Sequence, residues 1–274
     1  MNKPVDFSRT HPWPDKYAIG MLHLPPLPGS PDHTESLNGI ESHVLRDLAC
    51  LVDAGFDAVM IENFGDVPFF PGRVPEITVA SMTRIAAAVR REWTGPLGIN
   101  VLRNDGLSAL AIALAVNANF IRVNVLTSAR LTDQGIVSGI AADLCRARTH
   151  WRAGNIGIWA DVNVKHSAAI ATQSLEDETA DLIARGGADV VIVSGRATGD
   201  ETPLNELATV RSVAGQTPVV VGSGVSTENL DNQIKHCSGV IVGTSLKAGS
   251  QIRTPIVAEK AQQFMSRWRE SASR

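Results

Sequence analysis

Apolar and polar positions alternate along this chain with two distinct periods. Short runs rich in β-branched residues occur at residues 17–22, 57–62, 96–101, 119–124, 157–164, 189–194, 218–222 and 239–243. Longer segments with helical spacing of apolar residues lie near 36–54, 75–93, 105–117, 139–153, 175–185, 203–214, 227–236 and 255–269. Strands that are nearly continuous in apolar character, each followed by a helix, predict a parallel sheet covered by helices. Eight such units over 274 residues fit a single (β/α)8 TIM barrel, spanning 17–270 behind an N-terminal extension of 1–16, and the turns after its last two strands make the phosphate-binding type the expected one. A doubly wound open sheet competes, but no GxGxxG follows the first strand.

The connections differ at the two ends of the strands. Ala54-Gly55, Ala153-Gly154 and Gly186-Gly187-Ala188 each place a glycine where a helix can end in the left-handed conformation and feed the next strand. The loops after strands are long at 23–36, 63–74, 125–138 and 195–202. Barrel chemistry sits on such loops, at the carboxyl ends of the strands.

The fifth run, Gly157-Ile158-Trp159-Ala160-Asp161-Val162-Asn163-Val164-Lys165-His166, carries the strongest functional signal. Alternate residues of a strand face opposite sides, so Asp161, Asn163 and Lys165 share a face opposite Ile158, Ala160, Val162 and Val164. Burying such groups is costly unless they are paired or have a task. The same parity brings His23, Glu62, Asn100, Arg122 and Asn124 to the barrel axis, where acids, bases and amides gather at one end. His23, Glu62, Asp161 and Lys165 are the catalytic candidates. Asn100, Arg122, Asn124, Asn163, His166 and Ser194, which ends the sixth run, are the substrate-binding candidates. Structural ion pairs such as Arg122 with Glu62 or Asp161 are the competing explanation of single members.

Two turns rich in small residues follow the last two strands. Gly222, Ser223 and Gly224 end the seventh, with Ser226-Thr227-Glu228 expected to cap a helix, and Gly243, Thr244 and Ser245 end the eighth. Glycines permit close backbone approach, and the freed N–H groups hold anions. Phosphate sites of barrels are commonly built from these two loops, and Lys247 would add charge.

Composition narrows the classes. The formal net charge is −3 and aromatic residues are 5%, so the chain lacks the basic, aromatic-interleaved footprint of a nucleic-acid binder. Its three cysteines, Cys50, Cys145 and Cys237, are scattered and form no CxxC pair, which fits a reducing compartment and no disulfide framework. No signal-peptide core and no apolar run of transmembrane length is present, so a cytoplasmic protein is expected. There is no organic cofactor motif. A divalent metal could be drawn through His23, Glu62, Asp161 and His166, but no HxH or HExxH spacing supports it. The expected partner is a phosphorylated small molecule, and outer helices could also join copies into a homo-oligomer.

Several stretches together resemble the BtpA/SgcQ family. They are Gly20-Met21-Leu22-His23-Leu24-Pro25-Pro26-Leu27-Pro28-Gly29-Ser30, Glu62-Asn63-Phe64-Gly65-Asp66-Val67-Pro68-Phe69 and Asn100-Val101-Leu102-Arg103-Asn104. Phe120-Ile121-Arg122-Val123-Asn124-Val125, Thr132-Asp133-Gln134-Gly135, Ala160-Asp161-Val162 with Lys165-His166, and Val242-Gly243-Thr244-Ser245-Leu246-Lys247 complete the set. The likeness covers roughly 17–260. It departs at Asn163, a less constant position, and at Ser128-Ala129-Arg130, which is variable ground. The resemblance implies a barrel related to phosphate-binding TIM-barrel enzymes. It also implies two lines of function, since one member class is tied to photosystem I accumulation and another sits among sugar-uptake and sugar-phosphate genes. The combined expectation is an enzyme acting on a sugar phosphate or nucleotide-like compound by acid/base chemistry such as isomerisation, epimerisation or aldol-type cleavage. The alternatives are a non-catalytic assembly or stability factor using Phe64, Phe69, Phe70 and the prolines at 25–28, a hydrolase of a phosphorylated or glycosidic substrate, and a phosphate-ligand sensor.

Overall fold

A computed structural model describes residues 13–195 and 199–273. Most of the N-terminal extension (1–12) and the middle of the loop at 195–202 (196–198) lie outside the described residues. In chain order the elements are β1 (Tyr17–His23), α1 (Leu37–Ala54), β2 (Ala58–Glu62), α2 (Glu76–Glu92), β3 (Leu97–Asn100), α3 (Gly106–Ala115), β4 (Phe120–Val123), β5 (Ala129–Thr132), β6 (Gly135–Ser138) and α4 (Ala141–His150). They continue with β7 (Gly157–Val162), β8 (Ser167–Ala169), α5 (Leu175–Ala184), β9 (Val190–Val193), α6 (Leu204–Ala214), β10 (Val219–Val221), α7 (Leu230–Gln233), β11 (Gly239–Val242) and α8 (Ala258–Ala272). Eight parallel strands close into a barrel in the order β1-β11-β10-β9-β7-β4-β3-β2.

The barrel closes because its strands are apolar on both faces. Outward residues such as Leu22, Val59, Ile61, Ile99, Ile121 and Val191 pack against Leu48, Leu51, Ile85 and Leu110 of the helices. Inward residues make a second core near the strand starts, from Tyr17, Ile19, Met60, Phe120, Trp159, Ile192 and Ile241. Phe120 and Trp159 stack with centroids 4.0 Å apart, and Trp13 of the extension leans on both from below. Gly98 and Gly239 leave room for these rings: a Cβ at Gly98 would lie 2.3 Å from the Phe120 ring, and one at Gly239 2.4 Å from Tyr17.

Four local expectations are corrected. β7 ends at Val162, not at residue 164, because Asn163 has φ 48° and the chain turns there. The 125–138 connection is not a plain loop. It holds the β5–β6 hairpin, which pairs with β8 into a small antiparallel sheet beside the barrel mouth. The 227–236 segment forms only one turn of α-helix, starting at Leu230, and a 3-10 turn. Gly55 does end α1 in the left-handed region, and Gly187 also has positive φ, but after α4 that conformation falls on Arg152, not Gly154.

Overpacking of a filled core costs about 1–3 kcal/mol. Gly98→Ala should therefore lower unfolding stability by about that amount, measured by urea denaturation. A neutral result would contradict the ring packing described at the barrel floor.

Candidate active site

Above the aromatic floor the inward faces turn polar. The sheet register aligns His23 with Glu62, Glu62 with Asn100, and Asn100 with Arg122, so four neighbouring strands present one polar row. Asp161 of β7 faces this row. Arg122 binds it in a bidentate fork, Nε to Oδ2 at 2.9 Å and Nη2 to Oδ1 at 2.7 Å. Asn124 donates to Oδ2 at 3.0 Å, and the Ser194 hydroxyl to Oδ1 at 3.0 Å. Asn100 donates to the Arg122 carbonyl at 3.1 Å and to the Asn124 side-chain oxygen at 3.4 Å. Burial opposes the charge on Arg122, but Asp161 and Glu62 together hold its pKa above the usual range.

Glu62 and His23 are placed differently. His23 Nε2 is 3.8 Å from Glu62 Oε1. Burial first, then the charges of Lys247, Lys165 and Arg122, hold the His23 pKa well below the usual histidine range. The ring is therefore neutral near pH 7, and the contact with Glu62 is not an ion pair. Phe64 meets the His23 ring edge-on at 5.5 Å and Phe69 backs Phe64 at 6.3 Å, whereas Phe70 is 51% exposed.

Past Val162 strand parity no longer applies, and the residues expected to share one face separate. Asn163 leaves the ring: its side-chain oxygen accepts from Arg130 Nη2 at 2.7 Å, its amide nitrogen donates to Glu206 at 3.4 Å, and its backbone N–H donates to Glu178 at 3.0 Å. His166, with φ 55°, is exposed and does not line the cavity. Lys165 does reach the cavity, carried there by the turn. Arg103 Nη2 fixes its backbone by donating to the Lys165 carbonyl at 2.6 Å. Among the described residues the Lys165 amine itself makes no hydrogen bond or ion pair. Its pKa is lowered to about 8, by burial first and then by Arg122 and Arg103, against the opposing charges of Glu62 and Asp161.

The cavity at the barrel mouth measures about 450 Å³. His23, Glu62, Arg122 and Lys165 line it together with Gly222, Ser223 and Gly224 after β10 and Gly243, Thr244 and Ser245 after β11. The glycines sit close against the polar ring: a Cβ at Gly243 would lie 2.5 Å from the His23 ring and one at Gly222 3.3 Å from Arg122 Nη2. Asp161, Asn100, Asn124 and Ser194 are buried beneath it and do not line it. The glycine turns are held from behind. The Ser245 hydroxyl donates to the Val225 carbonyl at 2.8 Å, Ser223 Oγ accepts the Gly195 N–H at 2.9 Å, and Asn229 bridges Gly224 and Ser226. Gly224 has φ 70°, and a Cβ there would lie 1.9 Å from the Asp200 carbonyl, so no other residue fits. Two expectations fail. Ser226 is not the helix cap, since the short α7 begins beyond Asn229. Lys247 turns away from the cradle and is buried between α1 and the chain leading to α8, 3.6 Å from Asp47 and donating to the Thr254 carbonyl.

Six contributors are not singled out by strand parity or glycine turns. Asp200 and Glu201, from the loop after β9, add acids to the cavity wall. Arg103 braces Lys165 from outside the lining. Asn63, Asp66 and Asn104 staple neighbouring loops: Asn63 accepts from Leu102 N–H at 2.7 Å, Asp66 from Leu27 N–H at 2.8 Å and Asn104 from Val125 N–H at 2.9 Å. The available signal was their position inside the long motifs. Among the described residues no cluster of three or more His, Cys, Asp or Glu side chains is arranged to hold a metal ion, and no helix is long and apolar enough to cross a membrane.

The BtpA family profile matches residues 14–270. An uncharacterised protein of Thermococcus kodakarensis is 45% identical over 261 residues, covering 95% of this chain and 96% of that protein. The photosystem I biogenesis protein BtpA of a Synechocystis strain is 40% identical, covering 90% of this chain and 86% of that one. Among solved structures, N-(5'-phosphoribosyl)anthranilate isomerase from Pyrococcus furiosus superposes with a TM-score of 0.57 at 13% identity, covering 93% and 99%. At that identity the likeness establishes the barrel fold alone.

The geometry separates a bracing acid from a free one. Asp161→Asn leaves the Arg122 charge buried without its partner and should cost about 3–5 kcal/mol. Glu62→Gln breaks no hydrogen bond and should stay within about 1 kcal/mol of wild type. Urea unfolding of both variants checks this, and equal losses would contradict the distinction.

Proposed function

Starting from the fact that the chain belongs to the BtpA family, and that a cavity at its barrel mouth is lined by a glycine cradle together with Glu62 and Lys165, we propose that it is an enzyme acting on a phosphorylated small molecule by acid/base chemistry. The single observation that carries this reading is the make-up of that cavity's lining. Backbone turns suited to a dianion stand in it beside Glu62 and Lys165, ionisable side chains of the inner ring that, like the neutral His23, no hydrogen bond ties down among the described residues.

Glycine turns after the last two strands bring backbone N–H groups close to a phosphate. Holding the phosphate there fixes the rest of the substrate over the ring, and this remote binding energy orients the reacting carbons. Glu62 then serves as the general base or acid, since a catalytic carboxylate must be free to gain and lose a proton. Lys165 addresses the substrate's carbonyl group. Arg122, which reaches the lining while Asp161 holds its other edge, orients a hydroxyl or carboxylate. Asp161, Asn124, Asn100 and Ser194 are assigned to positioning Arg122, because their polar atoms face one another instead of the cavity. The neutral His23 accepts or donates a hydrogen bond beside Glu62. Proton abstraction next to a carbonyl, as in isomerisation, epimerisation or aldol-type cleavage, suits this set. The phosphoribosyl substrate in the name of the isomerase with a similar fold agrees with the cradle.

A second reading, a non-catalytic assembly role, draws on the name of the cyanobacterial relative and on the exposed Phe70. It needs neither the cradle nor a free Glu62.

Thermal-shift titration against inorganic phosphate and a panel of sugar phosphates separates the two readings. Phosphorylated compounds should raise the melting temperature, and Thr244→Asp, which sets a carboxylate in the cradle, should weaken them by tenfold or more, about 1.4 kcal/mol. A flat wild-type response across the panel would remove the enzyme reading.

A further inference from the structure

We infer that Lys165 is the nucleophile of this site, and that the substrate is a phosphorylated aldehyde or ketone whose carbonyl carbon it captures as an imine. The inference rests on the proposed function above and names the substrate class of the same cavity.

Three features of the geometry lead to it. First, Lys165 lies on an irregular turn whose backbone is held on several sides. Arg103 holds its carbonyl, Glu178 the Asn163 N–H and Arg130 the Asn163 side chain. Arg130 also donates to the Ser167 hydroxyl at 3.0 Å, on the far side of the turn. The two residues with left-handed backbone, Asn163 and His166, bracket Lys165, and departure from strand geometry here lets its side chain reach the cavity. Second, the amine so delivered is unpartnered among the described residues, while the neighbouring Arg122, Asp161, Asn124 and Ser194 are linked to one another. A lysine kept only for structure would be expected to join that network. Third, Glu62 lines the same cavity and its charge acts on the Lys165 amine, and the glycine cradle lines it as well.

The step balances without any co-reactant. The Lys165 ammonium gives a proton to the Glu62 carboxylate. The freed nitrogen pair adds to the carbonyl carbon as the carbon–oxygen π pair moves onto oxygen, and a proton shed by the now cationic nitrogen passes to that oxygen to give the neutral carbinolamine. Glu62 returns its proton to the carbinolamine hydroxyl, the carbon–oxygen bond breaks, and water leaves as the iminium forms. Ammonium plus carbonyl thus become iminium plus water. The iminium then withdraws electrons from the neighbouring carbon, whose proton or carbon–carbon bond is the one to break. The charged groups around the amine are Arg122, Arg103, Glu62 and Asp161, and their balance with burial leaves a useful fraction of uncharged amine at neutral pH.

The test is borohydride trapping with glycolaldehyde phosphate, followed by peptide mass mapping, with inorganic phosphate binding followed in parallel by ³¹P NMR. The expected adduct lies on Lys165 and adds the probe's mass less one oxygen. Its formation rises through pH about 8 and then levels, while labelling of ordinary surface lysines keeps rising toward their pKa of about 10.4. Excess inorganic phosphate suppresses it. Glu62→Gln slows it by roughly 10²-fold without changing phosphate affinity, which a purely structural Glu62 would not do. Lys165→Met, and Lys165→Arg as a second variant that keeps the charge, abolish the adduct while still binding phosphate. Phosphate binding with no adduct on Lys165 at saturating probe overturns the inference and leaves the proposed function standing. An adduct on Lys165 that unphosphorylated glycolaldehyde forms equally well, with no competition by phosphate, overturns the phosphate reading and with it the substrate class named here.

Discussion

The Arg122–Asp161 fork is the constraint around which this site is organised. Both side chains are almost wholly excluded from solvent, so each charge requires the other, and the remaining lone pairs of Asp161 require the donors Asn124 and Ser194. Because these partners come from β4, β7 and the end of β9, the fork ties the centre of the barrel mouth together. Its local consequence is a division of labour. Asp161, Asn100, Asn124 and Ser194 sink beneath the cavity as they satisfy one another, Arg122 reaches its wall, and His23, Glu62 and Lys165, left without hydrogen bonds among the described residues, face the space a ligand would fill. Gly222 belongs to the same arrangement: a Cβ there would lie 2.6 Å from Ser194 Oγ and 3.3 Å from Arg122 Nη2, so the glycine gives the fork its room as well as the loop its shape.

A second tier of contacts holds the rim. Asn63, Asp66, Asn104 and Asp105 each spend a side chain on the backbone N–H of a neighbouring loop, Asp105 accepting from Val74 N–H at 2.9 Å. Long loops held this way behave as part of the scaffold, which is what positioning chemistry requires. It also accounts for part of the length of the motifs in the sequence: Asn63, Asp66 and Asn104 in them are staples, while His23, Glu62, Arg122, Lys165, Thr244 and Ser245 face the cavity.

Much of this was legible in the sequence, for definite physical reasons. Alternation along a strand is a strict geometric consequence, so parity alone placed His23, Glu62, Asn100, Arg122, Asn124 and Asp161 on the inner face. The eight-fold succession of strand and helix signals likewise gave the barrel. Parity does not say which polar groups pair, because that depends on the register between strands, and so it leaves Asp161 a candidate for the reacting group although the residue lies beneath the cavity. Parity also failed where the strand ended. Nothing local to Asn163 marks its left-handed turn, so parity assigns it to a ring that it leaves, and Lys165 reaches the cavity by way of that turn and not by strand parity. The burial of Lys247 is hidden from the sequence for a related cause: its partner Asp47 is distant in the sequence, on α1, and only the fold brings them together.

The central claim is that one cavity has two chemically distinct parts to its lining, a cradle for phosphate and Glu62 with Lys165 for the reacting carbons. A crystal structure of the protein grown with glycolaldehyde phosphate tests this most directly. The account predicts phosphate oxygens within hydrogen-bonding distance of the backbone N–H groups of Gly224 and Thr244, with the carbon chain directed toward Glu62 and Lys165. A phosphate seated on Arg122, or bound only outside the barrel mouth, would contradict it.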